Sequence, residues 1–332
     1  MKFGLIVCTY QRPKSLLRLL DSVKEQLLYP NEIIIVDASL DNRTKHELQG
    51  FPMESLNYFK VEEEHRGLTR QRNFGVTRIS PDVEVIFFLD DDTLLDPQYF
   101  KEVIQTYKNF PEAIGVSGYI INETVWKETE LLKEGKNGYF NYDGWSRIEG
   151  SRFKLRRILG LAPTAPPGFM PDFSHGYSTG FLPPTGKTYE VEMLMGGIAS
   201  YKNEVFSRIK FSSFFDGYGL YEDADFSLRA SRLGKLYVNT KAKVEHHHAV
   251  EGRPDMYKYG KMVVRNGWYV WRIKYPSPSI KGRFKWLATS GLLTLVRLGN
   301  IISSGKSKIA FEESLGRISG LISLIFNSPK TS

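Results

Sequence analysis

Short apolar runs alternate with segments of helical period over the first 120 residues. Phe3–Thr9 is an apolar run that predicts a strand. Residues 13–28 follow it with Leu16, Leu17, Leu19, Leu20, Val23, Leu27 and Leu28 at helical spacing. Residues 33–36 predict a second strand, bounded by Pro30-Asn31 and Asp37, and residues 57–61 a third. A helix is expected over 68–79 and a fourth strand over 83–89, rich in β-branched and aromatic residues and stopped by three aspartates. Asp96-Pro97 then signals a helix start, with Asp96 as N-cap and Pro97 at N1, and residues 113–119 close the series. Unbroken apolar strands alternating with helices predict a Rossmann-like α/β unit, its mainly parallel sheet covered on both faces.

Residues 120–190 break the alternation. They are rich in Gly, Pro, Tyr, Trp and Lys, with LAPTAPPGF at 161–169 and GFLPPTGK at 180–187. They read as an excursion from the sheet, partly ordered on aromatic contacts, of the kind that serves as a lid or binding loop. A strand over 196–201, a helix over 222–233 and short strands over 235–238 and 243–247 come next. From residue 253 onward the pattern is mostly helical.

Composition narrows the class. Of 332 residues 41% are hydrophobic and 25% charged, which excludes a disordered or fibrous chain. The single Cys8 excludes a disulfide scaffold and fits a buried thiol in a reducing compartment. The apolar stretch at the N-terminus is too short for a signal-peptide core, so a cytoplasmic protein is expected. The net charge of +8 is uneven: residues 251–332 carry 14 basic and 4 acidic residues, leaving residues 1–250 at −2. A cationic tail suits nucleic acid, anionic lipid or a phosphorylated substrate, and charge alone does not choose.

Three features carry candidate chemistry. Asp90-Asp91-Asp92 ends the strand IFFL, and three adjacent carboxylates repel one another unless a cation or a donor network compensates. In open α/β sheets that edge is where ligands bind, and hard oxygen ligands favour Mg²⁺ or Mn²⁺. Glu222-Asp223 opens a helix after the glycine-bearing FDGYG, and with Asp225 it holds more acid than capping requires. The run His246-His247-His248 ends a strand, where alternation lets only part of it reach one site. Thr185-Gly186-Lys187-Thr188 only looks like the end of a P-loop, since Phe181 holds the first glycine's place and Pro183-Pro184 preclude the setting.

In order, these segments resemble the family 2 glycosyltransferases, inverting enzymes of the GT-A fold. IVCTYQRPKSLLRLLDSVKEQLLYPNEIIIVDAS at 6–39 is similar to the first strand–helix–strand of that family, with Val36-Asp37 in its V-D-[DN]-x-S, although Ala38 and Ser39 depart from it. GLTRQRNFG at 67–75 resembles G-x-x-x-A-R-N-x-G, Asp90-Asp91-Asp92 the D-x-D motif, and Gly196-Gly197 the glycine pair before the acceptor site. Glu222, Asp223, Asp225, Phe226 and Arg229 match the E-D-x-[DE]-[LF]-x-x-R helix. The resemblance covers residues 3–250. It implies a nucleotide-sugar donor, with UDP favoured, and Mn²⁺ or Mg²⁺ held by Asp92 and Asp90; from the histidine run itself, His247 is a further candidate ligand. Thr9, Tyr10, Arg12, Asp37, Arg70 (or Arg72), Asn73, Asp90 and Asp91 would bind the donor. Gly196, Gly197 and Glu222 would bind the acceptor, a hydroxyl of a cell-surface glycan or lipid-linked precursor, and Asp223 would be the general base.

The expected organisation is a catalytic domain over 1–250, with a nucleotide-binding half (1–120), an insert or lid (121–190) and an acceptor half (191–250). A basic helical region follows over 251–332. Residues 280–326 combine apolar stretches with Lys281, Arg283 and Lys285, which fits helices lying on the inner face of a membrane and equally a packed helical cap. No nucleic-acid partner is expected. The competing readings are a nucleotidyltransferase, which would want a glycine- and lysine-rich loop after the first strand, and an inactive glycan-binding protein at the membrane.

Overall fold

The computed structural model describes residues 1–129, 138–248, 254–303, 305 and 307–330. These fall into two compact units, one made of residues 1–124 and 182–252, the other of 125–181 and 253–332. The excursion from the sheet thus groups with the C-terminal helices rather than with the sheet.

The first unit is a mixed α/β sandwich. Its strands are β1 (Phe3–Thr9), β2 (Glu32–Asp37), β3 (Leu56–Lys60), β4 (Val85–Asp90), β5 (Thr93–Leu95), β6 (Ala113–Ile120), β10 (Thr188–Val191), β11 (Ile198–Lys202) and β12 (Lys235–His246). They form one sheet in the order β10-β12-β6-β11-β4-β1-β2-β3, with β5 paired to the end of β12. The stretch β3-β2-β1-β4 is parallel, as is β6 with β12, and β11 runs antiparallel between β4 and β6. The chain leaves β3 at one edge and returns as β4 beyond β1, so the strand order reverses between β1 and β4. That reversal leaves a crevice at their carboxyl ends.

Alternation along the strands sorts the two faces. Phe3, Leu5, Val7, Ile33, Ile35, Val85, Phe87 and Leu89 point to one side, under α1 (Pro13–Lys24) and α4 (Tyr99–Asn109). On the other side α3 (Leu68–Val76) presses Gly75 onto Ile6 and Val36, and Phe88 meets Phe206 and Phe211, which stacks on Phe226 of α6 (Glu222–Ala230). Both faces are covered, as the unbroken apolar strands predict. Three elements lie outside the pattern: the seven-residue α2 (Arg43–Gln49), β5 and β10. The expected strands 235–238 and 243–247 are one strand, β12, whose register shifts between Val238 and Lys243. Asp96 caps the turn before α4 by accepting from Gln98 N at 3.0 Å, so the helix starts two residues later than the Asp-Pro signal, at Tyr99 rather than Pro97.

The second unit has a three-stranded antiparallel sheet of β7 (Trp126–Glu128), β8 (Tyr139–Tyr142) and β9 (Trp145–Ile148), followed by α5 (Ser151–Ile158). Phe140, Phe153, Tyr177 and Phe181 cluster there, the aromatic ordering expected of the excursion. Helices α7 (Met256–Lys274), α8 (Ile280–Ser303) and α9 (Ser307–Phe326) complete it. Gly260 of α7 and Gly316 of α9 let these two helices cross backbone to backbone, and Trp268, Trp271 and Trp286 bind α7 to α8. Among the described residues no helix is long and apolar enough to cross a membrane.

Candidate active site

The crevice of the first unit gathers most of the expected residues. Thr9 at the end of β1 donates from Oγ1 to Asp91 Oδ2 at 2.7 Å, and Arg12 donates from Nη1 to Asp91 Oδ1 at 3.1 Å. The chain can turn there because Gln11 adopts φ +57°, an uncommon conformation for a non-glycine residue, fixed by its N–H donating to Ser39 Oγ at 2.7 Å. Burial pushes Asp91 up to about 7, against the pull of Arg12 and Thr9. Tyr10 lies half-buried between them in sequence.

Asp90, Asp92 and His246 bring one ligand atom each within 4.8 Å of one another. His246 comes from the far end of β12, delivered by its pairing with Thr93 of β5. Its main chain is clamped by Asn122, which accepts from His246 N and donates to His246 O, both at 2.9 Å. The ring is held at both nitrogens, with Nδ1 3.2 Å from Glu123 and Nε2 3.2 Å from Asp92. Burial alone would lower its pKa, but the bonds to Asp92 and Glu123 raise it to about 10. His247, the expected ligand of the triplet, instead faces Glu245 at 3.0 Å, so alternation at the strand end gives the site to His246. Two carboxylates and an imidazole form a donor set that fits Mn²⁺ and accommodates Mg²⁺ less well.

Across from this trio stands Arg72, buried on α3. It pairs with Glu222 through Nη1, while Nη2 donates to Gly196 O at 3.1 Å and reaches Asp90 Oδ1 at 3.4 Å. Its guanidinium lies over Phe88 and Phe211 at 5.7 and 5.3 Å. Glu222 is 4% exposed, one of its oxygens has no partner, and burial pushes it up to about 8 despite Arg72. Helix α6 starts abruptly here because Tyr221 takes a left-handed φ of +70°. Asp223 accepts from the backbone N–H groups of Gly196 (3.2 Å) and Ala224 (2.8 Å). Burial raises its pKa, overriding the lowering expected from the helix dipole. Gly196 and Gly197 have no room for a side chain: a Cβ on the first would lie 2.7 Å from Glu222 Oε1, and one on the second 2.5 Å from Asp90 Cγ. Gly197 O in turn accepts from Asp90 N at 2.9 Å.

A family model described as Glycosyl transferase family 2 matches residues 5–174. The chain belongs to glycosyl transferase family 2. The glucosyl-dolichyl phosphate glucuronosyltransferase of Haloferax volcanii is 27% identical over 136 residues, 40% of this chain and 43% of that protein. The O-antigen chain rhamnosyltransferase RfbN of Salmonella typhimurium is 26% identical over 262 residues, 78% of this chain and 70% of the other. The crystal structure of GalNAc-T7 with UDP, GalNAc and Mn²⁺ superposes with a TM-score of 0.53 at 15% identity, over 79% of this chain and 48% of that one. That likeness establishes the fold, GT-A. The chain spans less than half the length of the glucuronosyltransferase and of GalNAc-T7.

Not every expected site residue of this family 2 chain is free to meet a ligand. Arg70 is turned away, donating from Nε to Asp216 at 2.8 Å and from Nη1 to Glu64 O at 3.2 Å. Asn73 exchanges two bonds with the main chain of Phe211, at 2.9 and 3.0 Å. Both therefore tie α3 to the 211–216 loop. Asp37 is fully buried and its oxygens accept from Ser39 N and the Tyr58 hydroxyl, each at 2.8 Å. Arg72, the alternative to Arg70, is the arginine that reaches the site. Glu123 had no signal in the sequence, since it follows a strand with no periodic pattern of its own.

Proposed function

We propose that this chain transfers a sugar from a nucleoside-diphosphate sugar, UDP favoured, to a hydroxyl of a cell-surface glycan or its lipid-linked precursor, with inversion. The observation that carries the reading is the convergence of Asp90, Asp92 and His246 on one side of Gly196-Gly197 and Asp223 on the other. Asp90, Asp92 and His246 would hold Mn²⁺ or Mg²⁺. When bound, the metal supplies positive charge to the departing diphosphate. Arg12 adds a cation beside the aspartates. Asp223, oriented by two backbone donors, takes the proton of the acceptor hydroxyl, and its raised pKa makes it a stronger base than a solvated carboxylate. Thr9, Tyr10 and Asp91 line the donor end, and Glu222 with Arg72 forms the wall behind the acceptor. Asp37 would meet the nucleobase only after exchanging its bond to Tyr58. The names of the relatives, a dolichyl phosphate glucuronosyltransferase and an O-antigen rhamnosyltransferase, support a lipid-linked or surface-glycan acceptor. The basic C-terminal helices, residues 280–326, would meet a membrane peripherally on its cytoplasmic face.

The test is thermal stabilisation by nucleotides and nucleotide sugars with and without Mn²⁺, followed by metal-dependent hydrolysis of the donor that stabilises. Stabilisation by a UDP-sugar only when Mn²⁺ is present is expected. Stabilisation by nucleoside triphosphates, with release of pyrophosphate, would move the chain to the nucleotidyltransferases. The absence of any donor hydrolysis would favour the inactive glycan-binding reading.

A further inference from the structure

The second unit contains a cation that no carboxylate among the described residues balances. Arg156 of α5 is 2% exposed. Its Nε donates to Leu161 O at 2.9 Å, while Nη2 is sealed from solvent and has no hydrogen-bond partner. The titratable groups that act on it are Tyr177 and Arg152, with no carboxylate among them, and burial lowers it to about 10. Glu149 is taken by Arg157 and by the Tyr177 hydroxyl at 3.0 Å. Arg317, on α9, is held by Glu313 at 2.7 Å. Removing a guanidinium from water without a counter-charge costs several kcal/mol, so such a group is retained where a ligand supplies the missing charge.

We propose that Arg156, with Arg152, forms a binding site in the second unit for a phosphate or diphosphate group. A tetrahedral phosphate offers acceptors to the exposed guanidinium of Arg152, which lies over the Phe153 ring at 4.9 Å, and brings its charge within one helical turn of Arg156, whose guanidinium lies over the same ring at 5.6 Å. The stripe beside the two arginines, on α5 and its C-cap, presents Leu155, Ile158 and Leu159 to solvent, the latter two 70% and 56% exposed, at i, i+3, i+4 spacing. A phosphate carried on a lipid would meet the arginines and this apolar stripe at once, and a free phosphate only the arginines. The proposal concerns this unit alone and stands whether or not the transfer reaction assigned to the first unit is correct.

The experiment uses the full chain with a chelator present, so that no metal-dependent site takes the probe. Thermal unfolding is followed against inorganic phosphate and pyrophosphate, with chloride at matched ionic strength, for the wild type, Arg156→Leu and Arg152→Gln. Vesicles of phosphatidylcholine with and without phosphatidic acid form the lipid arm. The wild type should be stabilised by pyrophosphate with saturation. Arg156→Leu should bind it at least tenfold more weakly, yet melt no lower than the wild type without anion, because an unbalanced buried charge has been removed. Equal anion shifts in all three chains would overturn the proposal, as would an Arg156→Leu chain that melts lower without anion and keeps its shift. Should Arg156→Leu fail to fold, the exposed Arg152→Gln decides: a weakened shift supports the site and an unchanged one overturns it. Arg156-dependent binding to phosphatidic acid vesicles would identify the lipid source; pyrophosphate binding without vesicle binding would identify the free anion.

Discussion

Replacing Gly197 by alanine tests the metal site without touching a ligand. The new Cβ would lie 2.5 Å from Asp90 Cγ and closer still to Oδ2, about 1 Å inside ordinary van der Waals contact. Gly197 is not among the glycines with positive φ, so alanine fits its backbone and the strain falls on the carboxylate. Asp90 cannot retreat along the strand, because its N–H donates to Gly197 O and β4 is locked between β1 and β11. Its side chain must therefore swing by roughly an ångström, away from Asp92 and His246. Crowding of this kind costs about 1–3 kcal/mol, offset in part by about 0.4–1 kcal/mol of lost unfolded-chain entropy, so the protein should stay folded. Mn²⁺ affinity, read by calorimetry or by the loss of free-ion resonance, should fall about 10–100-fold, the usual cost of disturbing what orients a ligand. Gly196→Ala is the internal comparison. Its Cβ meets Glu222, Asp223 and Arg72 at 2.7–2.9 Å, so it should lower turnover while leaving Mn²⁺ affinity within a few-fold. Unchanged Mn²⁺ affinity in Gly197→Ala, or equal losses in both variants, would refute the assignment of Asp90 to the metal.

Asp223→Asn should leave donor binding intact and lower turnover by about 10²–10⁴-fold in a steady-state assay at saturating donor. Asp225→Asn should instead lower the melting temperature, by about 1–3 kcal/mol of stability, with turnover per folded molecule retained, since Asp225 is buried against Arg229 Nε at 3.1 Å. His246→Gln should weaken Mn²⁺ binding in calorimetry while His247→Gln leaves it unchanged, and the opposite ranking would return the ligand to His247. Burial, with Arg156, Arg317 and Arg152 adding to it, lowers His175 to about 4, below its ordinary 6.5. The folded chain therefore binds fewer protons there than the unfolded one between those values, so melting temperature should fall as pH drops from 6.5 towards 4, and His175→Gln should flatten that slope.

The sheet was legible in the sequence because its strands are buried on both faces and read as unbroken apolar runs. Phe3–Thr9 is found with both ends correct. What failed to register were elements that take their order from neighbours. The strand β5 is three residues long and forms only because β12 pairs with it, and β8 and β9 alternate too briefly to stand out. The site was legible wherever a residue type is costly to keep without a purpose, as with three adjacent aspartates or two adjacent glycines. It was less legible where neighbouring positions share a chemistry and only geometry separates them. Arg70 and Arg72 are two residues apart on one helix, which turns them roughly 200° from each other, so only one can face the crevice. The same holds for His246, the last residue of β12, which faces Asp92, and His247 just beyond it, which faces Glu245.

That separation by geometry also bears on the two adjacent acids of α6. Burial raises both acids, so perturbation alone does not choose the base. Reach does. A base must come within hydrogen-bond distance of the hydroxyl it deprotonates. One Glu222 oxygen is taken by Arg72 and the other is sealed from solvent, so an incoming hydroxyl has no path to either. Asp223 is only half-buried, and its two backbone donors fix the carboxylate's direction without capping it with a cation. A proton accepted there is not opposed by a guanidinium in contact, as it would be at Glu222. Arg72 thus supports the proposed division of labour by what it occupies: it pairs with Glu222, steadies Asp90 through the same fork, and leaves Asp223, the proposed base, without a cation in contact.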